Sequence, residues 1–262
     1  MHHQLGSAYL KLGNYTKAVE SYQSALKLNP QADASILALA RTYGEMGNSD
    51  AAISTYKRAL VLKPNDPATL NNLGLMYMKT GSWDKATEIL EQAVREVSSP
   101  KEAFYHLGVC YQRRRQLDRA AEQFRKAIEI DKRFAGAHYS LGIVYASQGR
   151  ENAAAEEFRM ALEARPDFAE AHFNLGDMYA RQGDLDAAVK EFQKAIQIRP
   201  DFVEAHFNLG TVYAKQGRLD DAIEQYKKTT SIQPNYPKAH RGMAMIYQEK
   251  GMDREAKAAL DT

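Results

Sequence analysis

Tyr9, Tyr43, Tyr77, Tyr111, Tyr145, Tyr179, Tyr213 and Tyr247 recur every 34 residues, and Ala18, Ala52, Ala86, Ala120, Ala154, Ala188, Ala222 and Ala256 keep the same interval without insertion or deletion. A fixed period of this length constrains the fold more than composition does. Each unit is one small piece of secondary structure that buries its apolar side only against its neighbours, so the units stack into a solenoid. The 262 residues then form one elongated array of nearly eight units instead of one or two globular domains.

Residues 169–202, AEAHFNLGDMYARQGDLDAAVKEFQKAIQIRPDF, show what a unit contains. Leu175, Gly176 and Tyr179 share one stripe of a first amphipathic helix, which Gly183 breaks. Asp184 is placed to cap a second helix, which carries Ala188, Phe192, Ala195 and Ile196 at helical spacing and ends at Pro200. Small residues at Gly176, Ala188 and Ala195 let two helix axes approach closely, and Tyr179 and Phe192 fill the remaining volume.

The skeleton LGxxYxxxG, then Ala, an aromatic or Leu, and Ala, with a closing Pro in most units, resembles the tetratricopeptide repeat (TPR) family along the whole chain. With the recurrent Tyr numbered as position 11, the repeats are 1–32 (N-terminally incomplete), 33–66, 67–100, 101–134, 135–168, 169–202, 203–236 and 237–262 (C-terminally incomplete). The resemblance implies an all-α fold, a right-handed superhelical α-solenoid of antiparallel helix pairs whose first helices line a concave groove. Repeats three and four depart from the pattern: Ser98 and Lys132 replace the closing proline, Pro100 falls late, and Arg115 replaces the turn glycine. A tolerated substitution at exposed turns and a local bend are both compatible with this. Repeat eight stops at Thr262 with no extra helix over its apolar edge, so the natural protein is expected to continue or to self-associate there.

Family geometry places positions 2, 5, 6, 9 and 13 on the groove. Position 5 is aromatic in four successive repeats, Tyr105, Tyr139, Phe173 and Phe207, while position 6 includes Asn72, His106, Asn174 and Asn208. Rings offer large contact area at low entropic cost, and an Asn amide both donates to and accepts from a peptide backbone. The Asn column is similar to the asparagine ladder of the O-GlcNAc transferase TPR array, with three members of eight. Asp177 and Arg181 add charge that would set register. The carboxylate clamp known in the family is absent, because position 9 reads Ser7, Arg41, Leu75, Val109, Ile143, Asp177, Thr211 and Met245 and never Asn. Replacing Phe173 and Phe207 with Ala is expected to weaken binding and leave the fold intact.

Other chemistry finds little support. His138, His172, His206 and His240 share position 4, but adjacent repeats stand on the order of 10 Å apart, whereas zinc needs nitrogens within about 2.1 Å; packing is the expected role. No glycine is followed by the Lys and Ser or Thr of a phosphate loop, so no cofactor, metal or catalytic group is expected. With 35 basic and 33 acidic residues the net charge of +2 provides no field to attract nucleic acid, and the run Arg113, Arg114, Arg115, Arg119 and Arg125 reads as a solvated turn. The single Cys110 cannot form an internal disulfide. Without an apolar run of about 18 residues or a signal peptide, a soluble chain in the cytoplasm or periplasm is expected, with no direct membrane insertion.

The expected function is a non-catalytic scaffold that binds an extended peptide or helix of a protein partner in its groove. Two alternatives stand beside it. REVSSPKEAFYHLGVCYQ resembles a junction in pilotin-like TPR lipoproteins of type IV pilus systems, which would make the chain an envelope assembly factor; the other alternative is the recruiting arm of a larger enzyme.

Overall fold

The computed structural model describes residues 1–96 and 100–261, so the departure at Ser98 lies outside the described residues. Among them are sixteen α-helices and no strand. The unit Met1–Lys132 holds α1 His2–Lys11, α2 Tyr15–Leu28, α3 Asp33–Glu45, α4 Ser49–Leu62, α5 Pro67–Lys79, α6 Trp83–Ala93, α7 Lys101–Arg113 and α8 Leu117–Ile130. The unit Arg133–Thr262 holds α9 Ala135–Ser147, α10 Glu151–Ala164, α11 Ala169–Gln182, α12 Leu185–Ile198, α13 Val203–Lys215, α14 Leu219–Ile232, α15 Pro237–Glu249 and α16 Asp253–Leu260. Each odd–even pair is one 34-residue repeat, so the fold is an all-α solenoid of antiparallel helix pairs.

The pair is held by a close approach. Position 8 of the first helix is glycine in six repeats, and the residue at position 24 of the second helix lies flat against it. A Cβ on Gly142 would stand 2.6 Å from Phe158 Cε1, well inside the contact distance of about 3.5–4.0 Å. Phe124, Phe158 and Phe192 are fully buried in these positions, among the alanines of positions 20 and 27 such as Ala154 and Ala161.

The turn between paired helices uses the Tyr column through its backbone. The N–H at position 16 donates to the Tyr carbonyl, as from Asn14 to Tyr9 at 2.9 Å and from Asp184 to Tyr179 at 3.0 Å. This closure requires a left-handed residue at position 15. Gly183 has φ 83°, and Asp184 Oδ1 then accepts from Ala187 N, capping α12 as expected. Arg115 occupies the same conformation at φ 58° with a Cβ, and no other non-glycine residue among the described residues has positive φ. The geometry of the turn is kept at repeat four at a cost of about 1–2 kcal/mol. Similarly α8 ends at Ile130 without a proline at Lys132, and the turn is tied by the Lys101–Asp131 ion pair.

Four members of the same Tyr column join neighbouring repeats through their hydroxyls, which meet position 25 of the preceding repeat. Gln23 donates to Tyr43 at 3.1 Å, Tyr111 donates to Glu91 at 2.7 Å, Arg159 donates to Tyr179 at 3.3 Å and Gln193 donates to Tyr213 at 3.0 Å. Burial first, and the Glu91 carboxylate second, push the Tyr111 phenol up to about 12, so it stays a donor. Further along the edge, position 14 reaches back to position 18: Arg114 to Asp84 at 3.4 Å, Gln182 to Asn152 at 3.2 Å and Gln216 to Asp186 at 2.8 Å. Arg113 lies over the Trp83 ring of the preceding repeat and Arg119 over Tyr111 of its own, so one of these members of the basic run serves a contact between repeats and the other a contact within repeat four.

Two changes test these constraints in opposite directions. Gly142→Ala drives a methyl into the Phe158 ring and should destabilise the chain by about 1–3 kcal/mol, read as a lower denaturant midpoint. Arg115→Gly relieves the left-handed strain, offset in part by the greater freedom of glycine in the unfolded chain, and should raise stability by about 0.5–1 kcal/mol.

Candidate functional site

The faces of the first helices were expected to carry the site, and their geometry differs from repeat to repeat. The position-5 rings are half-buried wedges. Tyr139 packs 5.8 Å from Phe158 and 4.6 Å from Phe168, Phe173 packs 5.7 Å from Phe192 and 4.9 Å from Phe202, and Phe207 packs 5.6 Å from Tyr226 and 5.2 Å from Tyr236. Tyr105 stands 5.8 Å from Phe124. Each ring thus ties its helix to the second helix of its own repeat, and in α9, α11 and α13 also to the loop that follows. Arginines complete two of these stacks, with the Arg165 guanidinium 3.3 Å over Phe168 and that of Arg199 3.6 Å over Phe202. Such tilted pairs add about 0.5–1.5 kcal/mol beyond burial. Alanine at Phe173 and Phe207 therefore removes packing as well as groove surface.

The polar position-6 residues divide into tied and untied. His106 Nδ1 meets Asn71 Oδ1 at 2.8 Å, and burial lowers the pKa of His106 despite the opposing Glu102 carboxylate. Asn174 spends both amide hydrogens internally, one on the Tyr139 hydroxyl at 3.1 Å and one on the Glu170 carbonyl at 3.0 Å. Asn208 and Asn72 have no such partner among the described residues.

Three of the expected residues converge. Asp177 and Arg181 from α11 and Asn208 from α13 line a notch of about 140 Å³ with Thr211 and Lys215, floored by Phe192, Ala180 and Val212. Arg181 Nε pairs with Asp177 at 2.9 Å, and its Nη1 lies 3.7 Å from Glu151. Thr211 Oγ1 donates to the Phe207 carbonyl at 3.0 Å. Tyr139 and Asn174 do not line this notch. Asn72 belongs to a separate groove of about 600 Å³ between α1, α3 and α5, with His3, Lys11, Leu37 and Arg41. Sequence reasoning passed over Lys11 and Arg41 because it weighted rings, although their positions 13 and 9 were visible as groove positions.

The position-4 histidines are packing elements. His138 Nδ1 meets Glu157 at 2.7 Å, His172 Nδ1 meets Glu191 at 2.5 Å, and His206 Nδ1 meets Gln225 Oε1 at 2.8 Å. The Nε2 atoms of His172 and His206 each reach a proline carbonyl, of Pro166 and Pro200, at 3.0 Å. Repeat four has Phe104 at position 4, and Gln123 Oε1, in the place of those acceptors, is buried without a partner among the described residues. Burial raises the Cys110 thiol to about 11, against the Thr87 bond and Arg114, so it is a packing group. Among the described residues no three His, Cys, Asp or Glu side chains gather to hold a metal ion, and no helix is long and apolar enough to cross a membrane.

These repeats define a class: helix-pair solenoids that present a surface along their first helices. The chain belongs to the tetratricopeptide repeat family. The family described as TPR repeat matches residues 40–81, 144–183, 176–217 and 210–251, and two described as tetratricopeptide repeat match 1–31 and 66–133. Among solved structures it is similar to MamA, at 30% identity over 66% of this chain and 94% of that one, with a TM-score of 0.57. It also resembles YrrB, described as a TPR protein with an unusual peptide-binding site, at 24% identity over 76% of this chain and 99% of that one, TM-score 0.60. The APC/C hetero-tetramer Cut9–Hcn1 superposes with a TM-score of 0.68 at 16% identity, over 92% of this chain and 51% of that one. The latter two likenesses are of fold alone. No curated protein matches the chain.

The His172–Glu191 contact carries a pH signature. Burial would raise the Glu191 pKa, but the His172 and Lys194 bonds outweigh it and hold the carboxyl below 4.5. The stabilisation is therefore present above about pH 4.5 and is lost as pH falls through the lowered folded value. Glu191→Gln should destabilise most above that pH, with the difference from wild type shrinking under acid, as followed by denaturant unfolding across pH 3 to 7.

Proposed function

We propose that the chain is a protein-interaction scaffold that seats an extended peptide of a partner along its first helices, with the notch between α11 and α13 as the reading point. The observation that carries this is the convergence of Asp177, Arg181, Asn208 and Lys215 around an apolar floor. A peptide side chain fits the floor, the Asn208 amide pairs with main-chain groups, and the Asp177–Arg181 pair with Lys215 selects charge on either side. Exposed charges of this kind contribute little affinity, about 0.2–1 kcal/mol each, so they set register. The half-buried rings Tyr139, Phe173 and Phe207, which do not line the notch, supply contact area along the first helices, with Tyr105 in the equivalent place on α7. The groove of α1, α3 and α5 offers a second seat of the same kind, with Asn72 as amide and Lys11 and Arg41 as cations.

No side chain among the described residues favours the envelope-assembly or recruiting-arm alternatives over a general scaffold.

A displayed library of random 12-residue peptides, selected on the whole chain, supplies a probe. Titration of a selected peptide should move the amide signals of residues 177, 181, 208, 211 and 215, and Asn208→Ala should weaken binding roughly tenfold. Signals that move only on the second helices, or affinity indifferent to Asn208→Ala, would place the site elsewhere.

A further inference from the structure

Residues at positions 5 and 6 of successive repeats stand 35 apart in sequence, and in two such pairs the side chains meet. Asn71 engages His106 at 2.8 Å, and the Tyr139 hydroxyl accepts from Asn174 at 3.1 Å. The next pair in register is Phe173 and Asn208. Phe173 sits as Tyr139 does, wedged between rings at 5.7 and 4.9 Å where Tyr139 has 5.8 and 4.6 Å, with interplanar angles of 51° and 39° against 47° and 42°. The one chemical difference is the missing hydroxyl.

We infer that the position-5 residue is a specificity determinant acting on the following repeat: Phe173, lacking a hydroxyl, leaves the Asn208 amide open to a peptide main chain, whereas Tyr139 withdraws Asn174 from that use. This deepens, and rests on, the peptide-scaffold reading above. A main-chain peptide group is read by an Asn that donates and accepts together. Asn174 has spent both hydrogens, on Tyr139 and on the Glu170 carbonyl, and retains acceptor capacity only. Asn208 retains both functions and lines the notch. Phe173 is thus a positioning residue: it controls the amide without itself supplying a polar group.

The test adds a hydrogen bond instead of deleting a side chain. Phe173→Tyr should place a hydroxyl beside Asn208 as Tyr139 does beside Asn174, so a bound peptide would have to compete with an internal partner. For a 12-residue peptide selected on the wild-type chain, F173Y is expected to weaken binding roughly tenfold, as is N208A. In the double variant the loss should be no greater than in either single one, because both act through the same amide. In the unliganded F173Y chain the Asn208 side-chain amide signals should shift and exchange more slowly.

Three results decide the matter differently. If N208A weakens binding while F173Y has no effect, or an effect additive to N208A, the determinant is overturned and the peptide-groove reading stands. If N208A leaves affinity unchanged, or the library yields no binder, the groove reading fails and takes the determinant with it. Should F173Y not fold, Tyr139→Phe tests the rule from the other side: Asn174 amide signals that neither shift nor exchange faster would overturn it.

Discussion

Everything in this chain depends on how near two helices can come. Where position 8 has no side chain, the residue at position 24 lies directly on the backbone of the first helix, and its ring or branched chain becomes the floor of the repeat. That single approach fixes the distance between paired helices, and small residues follow beside it: alanine at position 20 throughout, and at position 27 alanine or, in repeat seven, the fully buried Thr229. The ring at position 5 then packs against the same position-24 residue from the groove side. Core and candidate binding surface are consequently two faces of one stack.

The Tyr column works on two scales. Its carbonyl closes the turn inside its own repeat, and its hydroxyl reaches the repeat before it. A phenol is long enough to do the second while its backbone does the first. Charge pairs at the repeat edge reinforce the hydroxyl, but they are solvent-exposed and individually weak. Repeat four shows which of these requirements is strictest: the glycine of the turn is replaced by Arg115, yet the left-handed conformation and the bond from Gln116 to the Tyr111 carbonyl persist.

Much of the fold was open to reading because a helix pair advertises itself through local signals. Gly183 and Asp184 act at their own positions, and the Tyr and Ala columns repeat without slippage. The candidate site was legible where a repeat position or one helix face sufficed, as for Asn208 in the position-6 column and for Asp177 and Arg181 one turn apart on α11. It failed where loops or preceding repeats intervene. Phe168 and Phe202 lie at position 34, outside any helical stripe, so their grip on Tyr139 and Phe173 shows only in the 34-residue spacing they share with Phe134 and Tyr236 and not in a helical pattern. Residues 171–176 and 205–210 both read AHFNLG, yet the first Asn is tied and the second is not. No inspection of either hexapeptide distinguishes them, since the difference lies at residues 139 and 173.

The bond across 35 residues has a consequence for how such surfaces change. If the chemistry at each rung belongs to two consecutive repeats, the surface is written in the order of the modules as much as in their content. Exchanging two repeats, or duplicating one, alters which amides face a visitor while every side chain in the array stays the same. Rearrangement of whole 34-residue blocks is then a route to new recognition that needs no point mutation.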